Sequence, residues 1–149
     1  MDNRTLVRTV IDDVYNNRDL SKLCLYCAEN YVFHDSLALT TNLGDLRRVL
    51  EDYYEAFSDS RCVIEAQTSD GELVATRLVA IATHTGTFIG RPATGRKLHL
   101  TGIQVDRVRD GRLLETWVQM DYIAAVQQVE RLPHIEVPRA KPAVQTGVW

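Results

Sequence analysis

The segment KLHLTGIQVDRVRDGRLLETWVQM, residues 97–120, decides the fold. From Lys97 to Arg109 apolar and polar residues alternate with period two, Asp110-Gly111 is a hairpin turn signal, and Arg112 to Met120 carries the chain back. Two long antiparallel strands are predicted. Upstream, Cys62, Ile64 and Ala66 alternate against Val63, Glu65 and Gln67 before a second turn signal at Asp70-Gly71. The run from Leu73 to Gly86 is β-branched and apolar on both parities, as in a strand covered on both faces. GTFIGRPATGR, residues 86–96, has three glycines and a proline at turn positions; without a strand-to-helix context it is a loop and not a phosphate cradle.

Working back toward the N-terminus, the period changes to about 3.6. Leu6, Val7, Val10, Ile11 and Val14 follow Asp2, an N-cap residue, and predict a helix ending near Asn16-Asn17. A short helix fits Leu20 to Ala28, and a third fits Gly44 to Phe57, where Leu46, Val49, Leu50, Tyr53, Tyr54 and Phe57 form a stripe. Between them YVFHDSLALTTN, residues 31–42, begins as a short strand at Tyr31 and continues as a loop. Helices followed by a meander define an α+β fold, a cone-shaped, curved antiparallel sheet covered on one face by N-terminal helices and open at its mouth.

Composition narrows the function. At 149 residues, 45% hydrophobic and 25% charged, the chain suits one domain that buries roughly 68–70% of its unfolded surface. A net charge of −3 with no basic run excludes nucleic acid as the expected partner. No apolar stretch reaches the roughly 18 residues of a membrane span, and MDNRTLVRTV is unlike a signal peptide, so a cytoplasmic protein is expected. Three cysteines, an odd number, give no disulfide framework. Pro133, Pro138 and Pro142 make residues 133–149 an extended arm beyond a domain spanning 1–132, and Ile135, Val137, Val144 and Trp149 would let it dock on a surface or a neighbouring subunit.

The combination of Ala56-Phe57-Ser58-Asp59, Arg77, Thr83-His84-Thr85-Gly86, Phe88 with Gly90, Pro92 through Thr94-Gly95-Arg96, Arg107, Asp110-Gly111, and Glu115-Thr116-Trp117 ending at Asp121 resembles the SnoaL-like polyketide cyclases. That resemblance implies the cone fold of nuclear transport factor 2 and the ketosteroid isomerases, commonly dimeric, with an apolar cavity between helices and sheet. For members that close polyketide rings by an aldol step it implies no metal or cofactor, and an Asp immediately after the motif Trp as acid and base. Here that place holds Val118, Thr116 and Gln104 stand where histidines are usual, and Phe33 replaces an early Asn. A valine cannot exchange a proton.

The candidate residues follow from side-chain chemistry and parity. Gln104, Thr116 and Val118 share one face with Leu98, Leu100, Leu114 and Met120 if the Asp110-Gly111 hairpin carries a bulge, with Trp117 and Glu115 on the other. Gln104 and Thr116 would hydrogen-bond a carbonyl or phenol oxygen on a greasy wall; Phe33, Tyr53, Leu78, His84, Val118 and Met120 complete the expected substrate-binding set. His34 is the first candidate for proton transfer because an imidazole titrates near neutral pH, and Asp35 could raise its basicity or simply cap the loop. Asp121 is the carboxylate nearest Val118 in sequence, though an N-cap is its economical role, and His84 sits in an element that suggests architecture. Arg77 needs an acidic partner, Glu65, Glu115 or a dimer neighbour.

Cys24 and Cys27 form C-x-x-C inside a helical pattern with no second pair, and His99 and His134 lack ligand-spaced companions, so no metal is expected. The expected function is a cofactor-independent acid–base enzyme of secondary metabolism, a cyclase, isomerase or lyase acting on a polyketide-like cyclic intermediate as a homodimer. The alternatives are a component that assists oxygenation in a hydroxylase and a non-catalytic small-molecule binding module.

Overall fold

A computed structural model describes residues 1–37 and 40–130; the expected arm, residues 133–149, lies outside the described residues. Helix α1 (Asn3–Val10) is capped by the Asp2 carboxylate, which accepts from the Thr5 N–H at 2.8 Å, and it widens into a π-helical turn, Ile11–Asn16. The wide turn ends where the sequence predicts. Asn16 clips it to the sheet, its amide donating to the Cys62 carbonyl at 3.0 Å and accepting from the Cys62 N–H at 2.8 Å.

The second helix is shorter than its pattern. A 3-10 turn (Leu20–Lys22) and α2 (Leu23–Tyr26) give way to strand β1 (Cys27–Asp35), so Cys27 and Ala28 are extended. The Arg112 guanidinium accounts for the early end, donating to the carbonyls of Cys24 and Cys27 at 3.2 and 3.1 Å and drawing that segment onto the sheet. Strand β2 (Thr40–Asn42) follows, and Asn42 caps α3 (Leu43–Ala56) by accepting from the Asp45 N–H at 3.0 Å. The meander then runs β3 (Arg61–Asp70), β4 (Leu73–Thr83), β5 (Lys97–Arg109) and β6 (Arg112–Met120), and α4 (Tyr122–Glu130) closes the described chain.

The six strands form one curved sheet in the order β2-β1-β6-β5-β4-β3, and the N-terminal helices cover its inner face. Every pairing is antiparallel except β1 with β6, which is parallel, a departure from the all-antiparallel expectation. A hairpin can only return a strand antiparallel; β1 reaches β6 from far upstream and is free of that rule. Asp110 and Gly111 both take left-handed backbone (φ 52 and 71), the turn that suits a two-residue hairpin.

Two buried clusters fill the interior. One packs Val7, Val10 and Val14 of the first helix and Leu46 and Leu50 of α3 over Phe33, Val74 and Val118 of the sheet. The other packs Phe57, Ala80, Ala82, Leu98 and Leu100 under Ala125 and Val129 of α4. The clusters meet where α3 ends, and there the chain passes so close that a Cβ on Gly86 would lie 2.4 Å from the Glu55 carbonyl oxygen. Because that oxygen is backbone, Gly86→Ala is expected to lower stability by about 1–3 kcal/mol in denaturant unfolding; an unchanged midpoint would show that the segment after β4 moves freely.

Candidate active site

Between the helices and the inner face of the sheet lies a cavity of about 110 Å³. Ile11 and Tyr15 of the π-helical turn and Val49, Leu50 and Tyr53 of α3 form its roof. Its floor is sheet: Phe33 and Asp35 from β1, Cys62 from β3, Leu78 and Ala80 from β4, Gln104 from β5, and Val118 and Met120 from β6. Ser60 and Tyr122 complete the rim, and Ser60 also lines a polar hollow beside Arg18, Asp59 and Arg61.

Register explains who faces in. Arg109 pairs with Arg112 and Val108 with Leu113, but Arg107 pairs with Glu115, so Leu114 is an extra residue in β6. This bulge hands the inward position near the turn to Leu113, a buried residue, where Leu114 was expected, and turns Thr116, Val118 and Met120 inward beyond it. One row across the sheet then reads Asp35, Val118, Gln104, Thr76, Gln67, each the direct pairing partner of the next.

Asp35 is the carboxylate of this wall. Its Oδ2 accepts from the Tyr122 hydroxyl at 3.0 Å and its Oδ1 from the Leu37 N–H at 2.8 Å. Burial, followed by the nearby Asp35 charge, pushes the Tyr122 phenol up; burial raises Tyr53 to about 12 and drives Tyr15 well above the ordinary value. All three hydroxyls therefore keep their protons at neutral pH.

A second carboxylate lies on the same inner face of the sheet, beside the cavity lining. Asp106 is completely buried and pairs across to Thr116, whose hydroxyl donates to Oδ1 at 2.6 Å. The Gln104 amide nitrogen reaches both carboxylate oxygens, at 2.9 and 2.8 Å. Burial pushes Asp106 up to about 6 against the pull of these two donors. The surrounding titratable groups, Tyr15, Tyr31 and Cys27, are all held protonated by burial. Asp106 was legible in principle, since it has the same parity as Gln104, but a charged residue in an inward strand position is rare enough to be passed over.

Several expected site residues lie elsewhere. His34 occupies the opposite face of the sheet, stacked on Trp117 with ring centroids 5.6 Å apart and bonded through Nε2 to Glu115 Oε1 at 2.9 Å. Strand alternation forces this separation, because Asp35 faces the cavity. Asp121 caps α4, accepting from the Ala124 N–H at 2.9 Å. His84 is fully buried between Phe57 and Phe88 and bonded to the Thr94 hydroxyl at 3.0 Å, off the cavity wall. Thr116 is engaged with Asp106 and does not line the cavity. Phe33, Tyr53, Leu78, Gln104, Val118 and Met120 stand on its wall with Asp35. Arg77 pairs with Glu65 at 2.9 Å. Among the described residues no three His, Cys, Asp or Glu side chains gather in a metal-binding group, and no helix is long and apolar enough to cross a membrane.

A curved six-stranded sheet with helices over its inner face and a hollow between them is the cone the sequence predicts. Residues 5–129 match the family described as SnoaL-like polyketide cyclase, and the chain belongs to that family. Among solved structures it is similar to IdmH of Streptomyces antibioticus, described as a candidate polyketide cyclase, at 27% identity and a TM-score of 0.77, over 86% of this chain and 98% of that one. It shares the fold of AclR from Streptomyces galilaeus, described as a candidate hydroxylase (23% identity, TM-score 0.77, 91% of this chain and 84% of that one). It also shares that of a candidate SnoaL-like polyketide cyclase from Jannaschia sp. CCS1 (16% identity, TM-score 0.81, 88% and 93%). A comparison with curated protein sequences finds no match.

Asp106 gives the fold a pH signature. The folded protein holds this proton more tightly than the unfolded chain, whose carboxyl titrates near 3.8, so the group's stabilising contribution is complete below about pH 4 and lost as pH rises through about 6. Calorimetry from pH 4 to 7 should show Tm of the native protein falling relative to Asp106→Asn as pH rises, whereas parallel curves would mean that Asp106 titrates normally.

Proposed function

We propose that this protein is a cofactor-independent acid–base enzyme acting on a polyketide-like cyclic intermediate, with Asp35 as the proton-exchanging group. One observation carries the reading: Asp35 is the pairing partner of Val118 and faces the same cavity. The carboxylate absent from position 118 is supplied by the adjacent strand, about 4.8 Å away.

The surroundings support this chemistry. A cavity of about 150 Å³ holds one benzene, so the 110 Å³ here takes the greater part of one ring, with the rest of a ligand extending past Ser60 toward the polar hollow. Asp35 removes a proton from carbon next to a ring carbonyl, and the electron pair moves onto the carbonyl oxygen as an enolate. Tyr15 and Tyr53, which keep their protons, are O–H donors on the wall for that oxygen. Returned to a different atom the proton makes an isomer; given to the alkoxide formed when the enolate carbon adds to a second carbonyl, it completes ring closure. Tyr122 and the Leu37 N–H hold the carboxylate in one orientation for either course.

The outer sheet face supports a homodimer. Val63 (39% exposed), Ile81 (38%) and Ile103 (54%) lie on it with half-buried Val79, Val105 and Trp117, an apolar surface that a second copy would cover about a two-fold axis.

With a panel of anthraquinone-like intermediates, Asp35→Asn should lower kcat by roughly 10²- to 10⁴-fold while His34→Ala changes it little; full turnover by Asp35→Asn would overturn the assignment. Sedimentation should find the native chain dimeric and Ile103→Lys monomeric with an unchanged fold, and a native monomer would remove the dimer from the reading.

A further inference from the structure

The Gln104 side chain sits between the cavity and a buried charge, and its two ends differ in kind. An amide has a donor end and an acceptor end, and which one faces a ligand is set by what the other end meets. Here the other end meets Asp106. At neutral pH, above the value of about 6 to which burial raises it, Asp106 is a carboxylate that accepts and cannot donate, so it takes the amide nitrogen, and both of its oxygens lie within 2.9 Å of Gln104 Nε2. Thr116 fixes the carboxylate in turn by donating to Oδ1 at 2.6 Å. Asp106, Gln104 and Thr116 are all buried, so water does not compete for these bonds. The carbonyl Oε1 is the amide atom left for the cavity that Gln104 lines.

We propose that Asp106 is a positioning residue that locks the Gln104 amide with its carbonyl toward the cavity, so that the site selects ring ligands carrying a hydroxyl donor, a phenol or an enol, over those offering only an acceptor at that point. This rests on the cavity being a small-molecule site, and it names the substrate class that site takes. Expectation from sequence placed Gln104 and Thr116 as joint partners of a ligand oxygen, carbonyl or phenol alike. The buried carboxylate divides them: Thr116 serves Asp106, and Gln104 accepts. A hydroxylated ring loses its hydrogen bonds to water on entering so apolar a space, and the Gln104 carbonyl replaces one of them.

Asp106→Asn tests the lock, because it keeps the shape and removes the charge. The substituted side chain would present an N–H₂ toward Gln104, the Gln104 amide would turn over to accept from it, and its own N–H₂ would face the cavity. Binding is read by calorimetry with two single-ring probes, phenol, which donates, and acetophenone, which only accepts. Relative to the native protein, Asp106→Asn should weaken phenol roughly 3- to 10-fold and tighten acetophenone, opposite changes that loosened packing does not produce. Gln104→Met should weaken phenol, and adding Asp106→Asn to it should change neither affinity further. Affinities that fall together, or a preference untouched by Asp106→Asn, would overturn the proposal.

A measurement on the native chain guards against a variant that fails to fold. The Gln104 side-chain N–H₂ resonances should exchange slowly with solvent and move little when phenol is added, whereas freely exchanging protons that shift most on phenol binding would show the amide turned the other way. None of these readings involves turnover, so an inert Asp35 would leave them intact.

Discussion

One additional residue in β6 decides what the cavity is made of. Without Leu114 as a bulge, the pairing that begins at Arg109 and Arg112 would set Glu115 opposite Asp106 and Trp117 opposite Gln104, placing an acid and an indole inside and Thr116 and Val118 outside. The bulge reverses this beyond the turn while leaving Leu113 and Val108 buried before it. The outer face gains as much order as the inner one: Trp117 stacks on His34 and lies under Arg107, and Glu115 bonds both His34 and Arg107.

That same register gives the interior an ionisable group that a small core would ordinarily exclude. Taking a carboxylate out of water is costly unless hydrogen bonds replace those lost, and Asp106 receives them from one hydroxyl and one amide. Replacement is incomplete, which is why its proton is held up to about pH 6. The network is thus a polar element set in apolar packing, in which Thr116 and Gln104 supply the hydrogen bonds that Asp106 accepts.

Much of this was legible in the chain. Alternation across residues 97–120, the Asp-Gly turns and the helical stripe of α3 define the meander and its cover, because each rests on a period that burial enforces locally. The Asp2 cap is readable for the same reason, whereas the bulge enters the sequence reading only as a condition, and Leu114, expected to face inward, is the extra residue itself. What failed was long-range. The parallel contact between β1 and β6 joins segments some eighty residues apart in register, and no local pattern reports it. The consequence is large: a strand expected to start at Tyr31, with its partner unknown, makes the imidazole of His34 the natural candidate and the adjacent Asp35 its helper.

In the proposed site the two aspartates divide the work by environment. Asp106 has its oxygens committed to Thr116 and Gln104 and does not line the cavity, so in the proposed site it reaches a ligand through the amide it orients. Asp35 stands on the floor, with one bond from a backbone N–H and one from a phenol, and lines the hollow directly. A group that must exchange a proton with a ligand needs that access, and a group that must hold a shape needs its absence. Val118, lying between Asp35 and Gln104 in the same row, supplies the apolar surface that keeps the two polar contacts apart, so a ring resting on it meets a carboxylate on one side and an amide carbonyl on the other.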